Sequence, residues 1–430
     1  MIEAPAAAVL DRKLVTMPSR AWYGDIDLTL DFPATWDVHT LAMKDASALD
    51  SSRIEAAFAN PIGTPPIHEL AKGRKSATIV VDDVSRPTPA SKLIPYVLRE
   101  LAKAGVPKSE IRFVVGGGSH RPQTQEEFEK KLGAEVVRDY AVKSHNFMAG
   151  DLKGIGSLED GTPLFFDPWV VDADFKMTIG GIYPHGAVGF GGGSKLILPG
   201  VAGFATIFHF HTFYPSRGQG NIERTGDVPD HRDASEAAAR ALGLDLVVNM
   251  VINSRREVAA VFVGDFVQAQ RAGAHFAQDI YGTTIPEPLQ SEADLVVVNA
   301  YPLDSDPIQT GKALWCRRHF PKARFVVVNP AVDGICYHGL YDRIDWKRQS
   351  AQLAAREVIE DVRPELRSQE QAIIWSENYP THDFPRKHPN DLLVRKWETV
   401  LDLLLPTLPE RATVAVFPCS GLQLLARESA

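Results

Sequence analysis

The chain has 430 residues, 44% of them hydrophobic and 23% charged, with a formal net charge of −8. That length exceeds what one hydrophobic core normally supports, so two domains of ordinary globular composition are expected. The acidic balance gives no electrostatic reason to expect nucleic acid or an anionic membrane as partner.

Residues 1–30 carry Asp11, Arg12, Lys13 and Arg20 without an uninterrupted apolar run, and no segment approaches the roughly 18 apolar residues of a membrane span. A cytoplasmic protein is expected. Cys316, Cys336 and Cys419 are far apart and lack Cys-x-x-Cys spacing, which predicts three small core residues rather than a disulfide framework or a cysteine zinc site.

In chain order, apolar runs bounded by turn residues predict strands at Ala77–Val81, Ile111–Val115, Phe175–Ile179, Leu246–Ile252, Leu295–Asn299, Ala323–Val328 and Thr413–Phe417. Helices are predicted between them at Lys92–Ala104, Gln125–Leu132, Ala234–Leu242, Asp265–Ile280 and Trp397–Leu405. Alternation of this kind gives an α/β fold with mainly parallel sheets flanked by helices. Pro286 and Pro288 precede a fresh strand and helix series, so the boundary falls between an N-terminal domain, 1–285, and a C-terminal domain, 286–430. The last strand is left free to pack back on the first domain. No internal repeat or low-complexity segment is evident.

Ligands of open α/β sheets sit at the carboxyl ends of strands, and four constellations fall there. Asp82-Asp83-Val84-Ser85-Arg86-Pro87-Thr88-Pro89 follows the first strand; Arg86 offers a planar fork for a carboxylate, or the segment is an Asp–Arg pair with a helix cap. Gly116-Gly117-Gly118-Ser119-His120-Arg121-Pro122 follows the second and sets an imidazole beside exposed amides, suited to acid/base work, or is a surface turn. The third runs from Tyr183 to His211, where Gly191, Gly192 and Gly193 let the backbone approach a ligand and carry Lys195 toward it. A P-loop is excluded, because Ser194 separates the glycines from Lys195 and no Ser or Thr follows. His185 precedes that lysine and His209 and His211 follow it; residues two apart diverge on a helix, so one imidazole of the last two is expected at any site. The fourth, Pro307-Ile308-Gln309-Thr310-Gly311-Lys312, would clamp a carboxylate or serve as a soluble helix start.

Taken together, Asp-Asp-x-Ser-Arg-Pro-Thr-Pro, Gly-Ser-His-Arg-Pro, Pro-His with Gly-Gly-x-Lys and Pro-Gly after it, and Gln-x-x-Lys resemble the lactate racemase family. Asn249-x-Val-x-Asn-Ser and Gly264-Asp265 extend the resemblance over most of the chain. It implies a nickel-pincer nucleotide (nickel pyridinium-3,5-bisthiocarboxylic acid mononucleotide) bound in a cleft between the domains and made by separate synthesis proteins. His211, or His209 beside it, would ligate Ni; Lys195 would hold the cofactor, covalently in some members, with Asp83, Ser85, Gly192 and Gly193 around it. His120 and His185 would be the acid and base. Arg86, Gln309, Lys312 and, less directly, Trp375 would contact a small-molecule 2-hydroxy acid.

The implied activity is inversion of C2 by reversible hydride transfer through a planar 2-keto acid. A carbanion at C2 would have only a carboxylate to stabilise it, whereas hydride removal is eased when a base takes the hydroxyl proton. Ile308 stands where lactate-specific members carry a tyrosine, and residues 212–221 also depart from them. A racemase or epimerase not specific for lactate is therefore expected, with Arg217 either touching a larger or doubly charged substrate or lying on the surface. Two other readings stand beside it: a zinc hydrolase using His185, His209 and His211, and a non-catalytic carrier of the nickel nucleotide. An oligomer is compatible with all three.

Overall fold

The structure is a computed structural model and describes residues 12–334, 366, 368, 370–381 and 384–426. It divides into two compact units, each built on a six-stranded sheet.

The larger unit spans residues 44–282. Its sheet runs in the order Val258–Gly264, Leu246–Ile252, Phe175–Gly181, Ala77–Val81, Ile111–Val115, Ala141–Ser144, parallel throughout except for Val258–Gly264. Every residue of Ala77–Val81 and Leu246–Ile252 is buried, as expected of runs covered on both faces. From Ala77–Val81 the chain steps outward to Ile111–Val115 and Ala141–Ser144, then returns to the other side of the first strand at Phe175–Gly181. The order reverses there, leaving a crevice above the carboxyl ends of these strands.

Local chemistry sets the helix ends. Thr124 and Glu127 form a reciprocal capping box at the start of Gln125–Leu132. Asp230 and Asp233 do the same for His231–Leu242, which ends on Gly243 in the left-handed conformation. That second helix begins three residues earlier than the apolar pattern suggested, because a capped first turn can be polar.

The smaller unit joins the described residues 12–43 to 283–334 and to those from 366 to 425. Its sheet runs Leu392–Val394, Ile373–Trp375, Arg324–Val328, Leu295–Asn299, Thr413–Phe417, Asp37–Thr40, all parallel. The break near 282 lies close to the expected boundary, but residues 12–43 sit with the later segments rather than with the first domain. Asp37–Thr40 is a short polar edge strand with no buried residue, so no apolar run marked it. The strand Thr413–Phe417 pairs with it on one side and with Leu295–Asn299 on the other.

An antiparallel hairpin, Arg12–Ser19 with Ile26–Pro33, covers this sheet. Phe32 is fully buried, with its ring edge-on to Trp397 at 5.4 Å between centroids. Cys316 and Cys419 are buried, as expected; Cys336 lies outside the described residues. No described helix is long and apolar enough to cross a membrane. Phe32→Ala should lower stability by about 3–5 kcal/mol in urea unfolding, the usual loss for a large buried ring; an unchanged midpoint would detach the hairpin from this core.

Candidate active site

Three loops leave adjacent strand ends of the larger unit and meet in one pocket. Asp82, Asp83 and Arg86 come from the first strand, Gly116 to His120 from the second, and Tyr183 and His185 from Phe175–Gly181. Gly192, Lys195, Pro199, Gly200 and His211 complete the lining.

A buried carboxylate orients the first imidazole. Asp83 is 2% exposed and accepts a short hydrogen bond from Nδ1 of His120 and another, at 2.5 Å, from the hydroxyl of Ser85. Burial alone would raise the Asp83 carboxyl, but His120, Arg86 and Ser85 outweigh it and hold it well below the usual carboxylate range. Nδ1 of His120 is thus committed to Asp83. Close packing requires a glycine beside this pair: a Cβ on Gly117 would lie 3.1 Å from Asp83 Oδ2 and 3.2 Å from His120 Cβ.

Asp82 ties the strand ends together. Its Oδ2 accepts from Thr88 Oγ1 at 3.1 Å and from the Gly181 amide at 3.2 Å, and its Oδ1 pairs closely with the Lys131 ammonium. Lys131 is fully buried on Gln125–Leu132 and also donates to the Arg86 carbonyl at 3.3 Å. Burial lowers its proton affinity, and Asp82 opposes that change.

The glycine-rich segment wraps around Arg232. This arginine is 1% exposed, and its guanidinium donates to the carbonyls of Phe190 and Gly192, the latter at 3.1 Å, with longer contacts to Gly191, Val188 and the Ser194 hydroxyl. Gly192 has φ +70°, and a Cβ there would meet Asn249 Oδ1 at 2.6 Å. Gly192 lines the pocket; Gly193 does not, its amide being turned onto Asn249 Oδ1 at 2.8 Å. Lys195 follows on a short 3-10 turn. The residue is partly exposed, yet its ammonium lies deep enough that burial, followed by the charge of Arg86, pushes it down to about 7.

His211 sits on the helix Phe204–Phe213, where its Nδ1 donates to the Ile207 carbonyl at 2.9 Å. Surrounding protein keeps its proton affinity below the ordinary value, although the residue reaches solvent. His209, two positions earlier, faces away and packs against Phe213 at 4.9 Å between centroids. His185, also on the pocket lining, accepts the Ala187 amide at Nδ1, 3.2 Å away. The two candidate acid/base imidazoles thus have opposite polarity at Nδ1: one donates and the other accepts.

Other expected site residues are placed differently. Ser85 acts through Asp83 rather than lining the pocket. Gln309, Lys312 and Trp375 belong to the smaller unit. Gln309 is 2% exposed, and its Oε1 has no hydrogen-bond partner among the described residues. Trp375 has the contacts of a core residue, its ring 6.1 Å from Trp397 and its indole N–H donating to the Arg395 carbonyl. Arg217 is neither at the surface nor on the pocket: it is 3% exposed and forks onto Asp230 at 2.7 and 3.1 Å. Sequence reasoning gave no site role to Tyr183, Lys131, Asn249 or Arg232. Tyr183 carried a signal in its place two residues before His185, and Asn249 in the Asn-x-Val-x-Asn-Ser motif.

Imidazoles, an amine near neutrality and a guanidinium, gathered where strand order reverses, define an α/β enzyme with acid/base groups around a strand-end pocket. The family model described as "Lactate racemase N-terminal domain" matches residues 23–221. The lactate racemase of Thermoanaerobacterium thermosaccharolyticum is 31% identical over 303 residues, covering 68% of this chain and 69% of that protein. The lactate racemase of Lactiplantibacillus plantarum is 28% identical over 302 residues, covering 69% of each. The apoprotein structure of the T. thermosaccharolyticum enzyme superposes with a TM-score of 0.70 at 23% identity, covering 97% of this chain and all of that one. A Thermotoga maritima crystal structure gives 0.58 at 17% identity, covering 89% and 99%; both likenesses concern the fold. The chain belongs to the lactate racemase family, and with it to the isomerases.

The lysine gives a direct check. In competitive acetylation read by mass spectrometry, Lys195 should reach half its limiting reactivity near pH 7, and exposed lysines near pH 10. A Lys195 midpoint among those of the surface lysines would refute its burial.

Proposed function

We propose that this racemase inverts C2 of a 2-hydroxy acid, without specificity for lactate, using a nickel-pincer nucleotide held in the strand-end pocket. The observation that carries the reading is the convergence of His120, His185, Lys195 and His211 on that one pocket. Ile308, in place of the phenol of lactate-specific members, supports a substrate other than lactate or a broader range.

The residues fit such a group. His211, with Nδ1 turned to the Ile207 carbonyl, directs Nε2 as the metal-binding atom. A lysine near neutrality has an appreciable fraction as free amine, the form that attaches covalently or donates to a ligand. Gly192 brings bare backbone to the pocket lining. When bound, the cofactor supplies a reversible hydride acceptor for C2.

The rest is work for the chain. Arg86 holds the substrate carboxylate. His120 takes the hydroxyl proton at Nε2, and Asp83 stabilises the imidazolium that results. The family resemblance assigns His185 to the opposite side of the substrate. While its Nδ1 accepts the Ala187 amide, its Nε2 carries hydrogen and donates to the keto oxygen; to take or give a full proton at Nε2 it must release that amide and carry a hydrogen at Nδ1 instead. Each imidazole is base for one enantiomer and acid for the other.

The geometry works against a zinc hydrolase. His209 and His211 diverge on their helix, and no group of three or more potential ligands is assembled among the described residues. Placement of both acid/base histidines on the pocket favours a catalyst over a carrier.

Protein coexpressed with the cofactor synthesis proteins should contain near-stoichiometric nickel and nucleotide. Lys195→Ala should lose any covalent mass adduct, and His120→Ala and His185→Ala should each lose about 10²- to 10⁴-fold in racemisation while retaining nickel. Zinc alone, or full activity in both histidine variants, would overturn the reading.

A further inference from the structure

We propose that Tyr183 is a substrate-binding residue, whose phenol donates a hydrogen bond to the carboxylate of the bound 2-hydroxy acid beside Arg86. This rests on the function proposed above and adds to it a contact that sets affinity.

Tyr183 leaves the strand Phe175–Gly181 two residues before His185, and residues two apart in an extended segment face the same side. Both line the pocket. The ring is held from behind. The Tyr183 carbonyl accepts the Gly191 amide at 2.8 Å, and a Cβ on Gly191 would come within 3.3 Å of ring atoms Cε1 and Cζ. The ring is thus closely backed by this backbone, and glycine is required at 191 because the same Cβ would meet the Gly181 carbonyl at 2.6 Å.

The hydroxyl at the end of this fixed ring makes no hydrogen bond to any described residue and opens onto the pocket. The residue as a whole is only 2% exposed, so little besides a pocket ligand can reach that oxygen. Buried tyrosine hydroxyls ordinarily find a partner, so this one is completed by what fills the pocket. The neighbouring acids are already engaged, Asp83 by His120 and Ser85, and Asp82 by Lys131, Thr88 and the Gly181 amide.

Three charged groups influence the phenol: Arg86, Asp82 and Asp83. Burial is the main reason its ionisation is pushed above the ordinary range; the two carboxylates add to the effect and Arg86 opposes it. The phenol therefore remains a neutral donor at every working pH. A neutral donor next to a guanidinium suits a ligand group with two anionic oxygens, one for each partner, which describes a carboxylate.

Tyr183→Phe removes the hydroxyl and keeps the ring against Gly191. The cofactor-loaded variant should contain as much nickel and nucleotide as wild type. Its KM for the 2-hydroxy acid that wild type racemises should rise about 10- to 100-fold, with kcat changed less than about threefold. Calorimetric titration with glycolate, which has the carboxylate and C2 hydroxyl but no side chain, should show the same weakening. Unchanged KM and glycolate affinity would overturn the inference, as would a fall in kcat alone, which would place the phenol on the reacting oxygen. Loss of nucleotide with glycolate affinity intact in the remaining loaded fraction would assign it to the cofactor instead. A wild-type holoenzyme that neither racemises nor binds any 2-hydroxy acid would refute the proposed function itself; wild-type turnover with an unaffected variant would refute this contact alone.

Discussion

The buried Asp82–Lys131 pair is the constraint on which the pocket depends. One carboxylate gathers the loop after Ala77–Val81, the amide ending Phe175–Gly181 and the helix that follows Ile111–Val115. A buried ion pair is weak support for stability, since desolvation offsets much of its attraction. Its value here is geometric. With three chain segments fixed to one point, Asp83, Arg86, His120 and Tyr183 acquire positions that none of their own loops would enforce. Removing either member would leave an uncompensated buried charge under the site, which is far more costly than never having had the pair.

A second buried cation organises the opposite wall. Glycine-rich backbone exposes many carbonyls and has little conformational preference of its own, so it needs an external template. Arg232 supplies one by collecting oxygens from Val188 to Ser194. Its positive charge also works, together with Arg86, against protonation of Lys195. The same cation that shapes the loop thereby helps to keep its lysine in the amine form.

Much of the larger unit was legible in the chain. Runs such as Leu246–Ile252 are apolar at nearly every position, a pattern that suits a strand covered on both faces and little else of that length. Strand-end motifs were legible too, because Asp-Asp-x-Ser-Arg and Gly-Gly-Gly-Ser-His each follow such a run directly. What escaped were elements without a run of their own. Asp37–Thr40 takes its place from pairing with Thr413–Phe417, more than 370 residues later in the chain. Lys131 and Arg232 lie on helices where a charged residue normally reads as solvated face, and only the carboxylate or carbonyls opposite each one explain its burial.

By itself the sequence determined the α/β class and the strand ends that gather into the pocket, and it singled out His120, His185, Lys195 and the His209/His211 pair as candidates for it. Those depend on local periodicity and on short motifs, which survive without knowledge of neighbours. Tertiary structure alone decided that Ser85 serves Asp83, that Arg217 is a buried clamp and that His211 rather than His209 lines the pocket. It also decided that the Tyr183 phenol makes no hydrogen bond to any described residue. Each of these turns on which groups distant in sequence share a hydrogen bond or withhold one, and burial and pairing of that kind exist only once the chain has closed on itself.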